Sequence, residues 1–379
     1  MDRGRAWFPA RGGVFLPFLL SLLTLISPVR AEPLENSPMP TPWVWTKDVW
    51  ADGGYQDNVL FSHDAREASP FARVGAELGF LRAGTERFHF QGAVSFEEKR
   101  FTSAETVDHE RFASANAEAS YDLGRDWRLS LAGRYGYQDQ VTDASITDTN
   151  LASFPVQSHT FELRPSARVG LRPGWWMELG AMVTRQRYLQ GELDDYWEFG
   201  PRVQVGHEYG HRSELTAEVA VASRAYDERV RFTAAGDPLP GEPLTYRIPS
   251  VTLQARHFWD TARHWRTLTK LTAEKVEDNG SGFFSYERLG LVQQVRYRTA
   301  RWEIKGQVQL TRYRYARQRD DAGTAPRERD LVRGNLHVER SLGRYLNVHG
   351  DYECERSFSN TQIDSYLANT VSLGLGVEF

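Results

Sequence analysis

The sequence predicts an all-β fold, a transmembrane antiparallel β-barrel of about 16 strands with short turns at one end and longer loops at the other. Three observations carry that prediction. Apolar and polar residues alternate with period two, which sorts them onto opposite faces of extended strands. The segments joining these runs alternate between short and long. Aromatic residues collect where the runs begin and end.

The alternation is clearest in the last strand, 364–379. Leu367, Asn369, Val371, Leu373, Leu375, Val377 and Phe379 form one face. Ala368, Thr370, Ser372, Gly374, Gly376 and Glu378 form the other. The first eight strands are expected at 44–57, 70–82, 86–101, 110–123, 126–140, 158–172, 175–190 and 194–208. The next seven are expected at 212–229, 246–260, 264–278, 284–299, 301–317, 329–342 and 344–357. A helix fails as an alternative for the strand at 344–357. There Asn347, His349, Asp351, Glu353 and Glu355 share one side in extended chain, whereas a helix would scatter the acids around its circumference. Short turns fall at 82–87, 123–126, 172–174, 209–211, 260–263, 299–301 and 342–344. The longest loops are 141–157 and 230–245, neither long enough to fold inward, so any constriction is expected from wall side chains.

Residues 1–31 read as an export signal, 32–43 as an irregular proline-rich lead-in and 44–379 as one barrel domain. Arg3, Arg5 and Arg11 precede an apolar run, Val14 to Ile26, and Val29 and Ala31 suit a cleavage site. Removing the segment takes four Arg and one Asp from 46 basic and 50 acidic residues, so the net charge moves from −4 to −7. That excess of acid gives no footing for nucleic acid. Cys354 is the single cysteine, so no intramolecular disulfide is expected, and closure of the sheet must supply stability. Only five basic residues are lysine, and arginine's planar fork suits a crowded wall of carboxylates.

The aromatics predict two belts. Trp127, Trp175, Trp176, Trp265, Trp302 and Tyr345 follow short turns, Trp259 precedes one, and Phe379 ends the last apolar face. Tyr135, Tyr137, Tyr188, Trp197, Tyr226, Tyr286, Tyr313 and Tyr315 are expected to form the opposite belt near the loops. Between the belts, alternation turns charges inward. The candidate pore-lining set is Arg134, Arg168, Glu178, Glu198, Arg202, Glu218, Arg256, Arg288, Arg296, Arg298, Lys305, Asp351, Glu353 and Glu355. Such charges are costly against lipid, so the interior is expected to be wet. A basic wall on strands twelve and thirteen would face an acidic wall on strand fifteen, giving a transverse field. The competing reading pairs these charges with one another.

Two patterns imitate catalytic sites. His207-Glu208-Tyr209-Gly210-His211 matches the spacing of helical zinc proteases, but it spans a strand end and a turn. In extended chain its imidazoles stand roughly 13 Å apart, so no metal is assigned. Ser158 and His159 are neighbours in a strand and point to opposite faces, so they make no catalytic pair. No cofactor is implied.

The terminal strand ending at Phe379 resembles that of bacterial outer-membrane barrels. The first strand's end, with Gly54, Tyr55, Asp57, Asn58, Val59 and Ser62, resembles the opening segment of an outer-membrane β-barrel group associated with exosortase and extracellular polysaccharide systems. The resemblance covers this strand alone and implies the outer membrane of a Gram-negative-type bacterium; the even strand count would put both termini on the periplasmic side. The resemblance also implies contact with membrane lipid and lipopolysaccharide, engagement of the barrel-assembly machinery through Phe379, and polysaccharide secretion components as partners. The function expected is a channel for polar or charged solutes, with polysaccharide export as its finer form. A barrel hydrolase acting on lipid or peptide, and an adhesion barrel binding through its loops, are the alternatives.

Overall fold

The structure is a computed structural model that describes residues 43–82, 87–143, 153–190 and 193–379. The export signal and almost all of the lead-in lie outside the described residues, as do parts of three predicted connections. Sixteen strands run in chain order: β1 Trp43–Gln56, β2 Ser69–Arg82, β3 Phe88–Phe101, β4 His109–Asp122, β5 Trp127–Asp143, β6 Ser153–Arg172, β7 Trp175–Tyr188 and β8 Tyr196–Tyr209. They continue as β9 Ser213–Phe232, β10 Pro238–Phe258, β11 Trp265–Asp278, β12 Tyr286–Arg298, β13 Trp302–Arg319, β14 Pro326–Ser341, β15 Leu346–Ser359 and β16 Tyr366–Glu378. Each pairs with its sequence neighbours, and β1 pairs with β16 to close the barrel. The one helical element among the described residues is a 3₁₀ turn at Gln362–Asp364.

The closing seam runs antiparallel from Asp48 opposite Glu378 to Gln56 opposite Thr370. The alternation that predicted β16 is its observed burial pattern. Leu373 is 68 % exposed on the outside, while Ser372 is buried within. Gly374 serves the seam by lacking a side chain. A Cβ there would meet Asp52 Cβ and Ala51 O, and would lie 2.6 Å from His349 Nε2. The side chains of β15 and β1 therefore meet across the inner face of β16.

The expected loop 230–245 is mostly strand. β9 and β10 run on to Phe232 and from Pro238, with register shifts at Pro243 and Thr245. Pro238, Pro240 and Pro243 each remove a ladder donor. Here they sit in the projecting hairpin, where the register slips to accommodate them.

Candidate functional site: the inner wall and its mouth

All strands present alternate residues to the interior, and the fourteen candidate pore-lining charges lie on that inner parity. Most find partners of opposite sign. Arg168 and Arg202 both reach Glu178, at 3.0 and 2.6 Å, and Arg202 continues to Glu218 at 3.0 Å. Arg224, missed in the sequence, grips Glu198 at 2.7 Å. Arg256 meets Glu214 and Arg288 meets Glu274, both at 2.8 Å. Arg134 stands opposite Glu162 in the register.

The expected confrontation of a basic wall with an acidic wall does not form, because β14 stands between them. Its Arg333 takes Glu355 at 2.8 Å and its His337 takes Asp351 at 2.7 Å. From the other side, Arg73 on β2 lies 2.9 Å from Asp52 and 3.5 Å from Asp351. Glu353 faces inward beside Arg333 and Glu355 in a small recess. Asp351 and Glu355 are therefore matched locally.

The bases of β11 to β13 are matched less evenly. Arg266 stands opposite Arg296, Arg296 opposite Lys305, and Lys305 opposite His337. Glu303 accepts from Arg296 at 2.9 Å and lies 3.6 Å from Arg298, while itself facing Glu339 across the strand pair. Arg266 and His337 extend the wall beyond the residues predicted. Both were accessible to the period-two rule but sit near strand ends or among neutral neighbours.

Outside, Trp127, Trp259, Trp265, Trp302, Tyr345 and Phe379 are exposed at the turn end, and Trp175 stacks on His207 there at 4.4 Å. A mid-height apolar band above them, with Leu131, Leu163, Leu179, Leu253 and Leu289 exposed, faces lipid in a barrel of this kind. Trp176 departs from its expected place. It is 6 % exposed, on the inner face, with the Arg168 guanidinium 3.8 Å above its ring. Adjacent strand residues cannot share a face, so only Trp175 belongs to the belt.

The predicted loop-side belt is corrected in the same way. Tyr135, Tyr137 and Trp197 face outward, but Tyr226, Tyr286, Tyr313 and Tyr315 are buried inside, with Tyr188 packed against them. Each shares its parity with an inward charge of its own strand, as Tyr286 does with Arg288. Tyr196, Tyr246, Leu244 and Phe284 complete this inner apolar cluster.

A second inner cluster is built around the loop that follows β1. Val59 and Phe61 lie buried with Phe71, Phe101, Leu331 and Tyr366. The Phe61 ring meets Tyr366 edge-on at 5.6 Å, from a backbone at φ 48° that a bulky residue rarely adopts. The loop after β1 therefore packs its apolar side chains against residues of the wall, although it is not one of the two longest loops. The loop is pinned by the residues of the first-strand motif. Asp57 accepts from the Asn369 backbone N–H at 2.6 Å and its side-chain amide at 2.7 Å. Asn58, almost fully buried, donates to Leu367 O and Ser62 O, both at 2.9 Å. The motif is a latch across the seam.

Neither imitation of a catalytic site assembles. The 207–211 segment ends β8 and enters a turn at Gly210, φ 52°. Ser158 is buried inside, while His159 lies outside between Tyr135 and Tyr137. At the loop end, Asp320 accepts the backbone N–H groups of Ala325 and Thr324, which holds its carboxyl below the ordinary range.

No protein-family model matches the chain, and no curated protein matches it. Among solved structures, it is similar to OccAB1 of Acinetobacter baumannii at 8% identity and TM-score 0.48, over 88% of this chain and 96% of that one. It is similar to a bacterial polysaccharide outer membrane secretin at 9% identity and TM-score 0.43, over 89% and 98%. An anion-selective porin from Comamonas acidovorans gives 10% identity and TM-score 0.41, over 89% and 99%. At such scores these likenesses carry no argument about cargo. The barrel stands on its own register.

Proposed function

We propose that the chain is an outer-membrane β-barrel channel that passes polar or charged solutes. One observation carries this reading: an apolar, aromatic-rimmed exterior encloses an interior of ion pairs and amides. Charges placed inside such a wall are tolerable only beside water, and barrels of this strand number enclose an aqueous path. The loop latched by Asp57 and Asn58 narrows the mouth and makes the channel selective for size.

The finer reading, export of an extracellular polysaccharide, is supported by the first-strand motif and its resemblance to barrels of such systems. Membrane lipid and lipopolysaccharide would meet the outer wall, and the assembly machinery would engage the terminal strand. Planar-bilayer recording on the purified full chain tests the channel. Stepwise ion currents are expected, and a folded barrel that inserts without conducting would refute the reading.

A further inference from the structure

We infer that the inner wall of β11 to β14 holds a subsite for one carboxylated sugar unit of an anionic glycan; this rests on, and sharpens, the channel reading above. The register places Arg266, Arg296 and Lys305 directly opposite one another on three adjacent strands. Like charges in that relation repel, whereas on the neighbouring strands Asp351 and Glu355 stand beside Arg73 and Arg333. With Arg298, the row contributes four basic side chains against the carboxylates of Glu303 and Glu339. The Nε of Arg296 is buried without a hydrogen-bond partner among the described residues. A bound carboxylate would relieve the repulsion and accept from these donors.

One rung toward the loops the chemistry changes from charge to amide. Gln294 stands opposite Gln307, and Gln307 opposite Asn335. Gln307, Gln309 and Asn335 line one side of a recess of about 30 Å³, which Arg333, paired with Glu355, and Glu353 line on the other and against which Phe61 of the latched loop packs. Primary amides both donate and accept, which is what vicinal hydroxyls require. Lys305 and Gln307 are alternate residues of one strand, about 7 Å apart. That spacing fits a single ring with its carboxylate on the cation row and its hydroxyls on the amides. The recess is small, so the ring seats an edge there while its chain runs along the lumen.

Calorimetric titration of the full chain in detergent with tetragalacturonate tests this, with neutral maltotetraose and inorganic phosphate as comparison probes. Tetragalacturonate is expected to bind, with maltotetraose and phosphate each at least about ten-fold weaker. Lys305→Gln should weaken it about ten-fold, the scale of one charge-assisted hydrogen bond, and Lys305→Arg should restore it. Heat-shifted gel mobility identical to wild type shows that each variant is folded. Lack of binding, equal binding of the neutral glycan, or phosphate binding as tightly as the uronate would overturn the subsite. Binding needs no conduction, so the two readings fail separately. Current without uronate binding sinks the subsite alone, and binding in a barrel that carries no current sinks the channel alone.

Discussion

Two sectors of the same inner wall handle charge in opposite ways. From β14 round to β2, three inner carboxylates each have a cation or histidine at hand: Asp52 and Asp351 with Arg73, Asp351 with His337, Glu355 with Arg333, while nearer the turn end Asp48 stands opposite Glu77 and Glu378. From β11 to β13, cations stand opposite cations. The first arrangement serves closure, since it spans the seam where chain ends meet and uses the bare backbone of Gly374 to do so. The second sets Arg296 and Arg298 against one shared carboxylate, Glu303, beside further cations in register. A charge is read as structural or functional from its cross-strand neighbours, which its own position in a strand does not disclose.

The contrast can be broken first at the buried pair near the loop end, beside the matched sector. Arg327 and Asp364 are almost fully buried and 2.6 Å apart. Asp364→Ala should cost about 3 kcal/mol, because it leaves a guanidinium buried beside a lost partner. Urea unfolding from lipid vesicles measures it, and an unchanged midpoint would show that the pair is dispensable. Gly374→Ala comes next, at about 1–3 kcal/mol, because the new methyl group meets Asp52 and His349 at the seam. The same assay should show it unfolding earlier, whereas Gly343→Ala, where nothing stands near, should be neutral.

On the other sector, replacing Arg296 and Arg298 with Glu should move ion selectivity toward cations. A reversal potential in a salt gradient reports it, and no movement would show that those arginines do not line the path. Asn58→Ala loosens the latched loop, and single-channel current should rise. The smallest effect concerns Asp320 in its exposed turn. Folding lowers its pKa, so its contribution is present above the ordinary carboxylate range, near pH 3.9, and lost as pH falls through the folded value. Protease cutting between 320 and 325 should stay constant from neutral pH down to that range and rise below it.

Much of this was legible in the chain. Period two gave sixteen strands with most ends within three residues, and it turned all fourteen candidate charges inward. Errors came where residue type was weighed above parity. Trp176, Tyr286 and Tyr313 looked like belt aromatics, although each alternates in step with an inward charge. Partners were less legible, because Arg333 and His337 neutralise acids of another strand. The latch was out of reach. Asn58 bonds to Leu367, 309 residues away, and only closure of the barrel brings them together.

The central claim is that β16 shows lipid one face and water the other. With Cys354 replaced by Ala, a fluorophore on Leu373→Cys or on Thr370→Cys, in vesicles with brominated acyl chains or aqueous iodide, tests it most directly. The account predicts that bromine quenches the label at 373 and iodide the label at 370. Equal quenching of both labels, or iodide alone reaching 373, would contradict it.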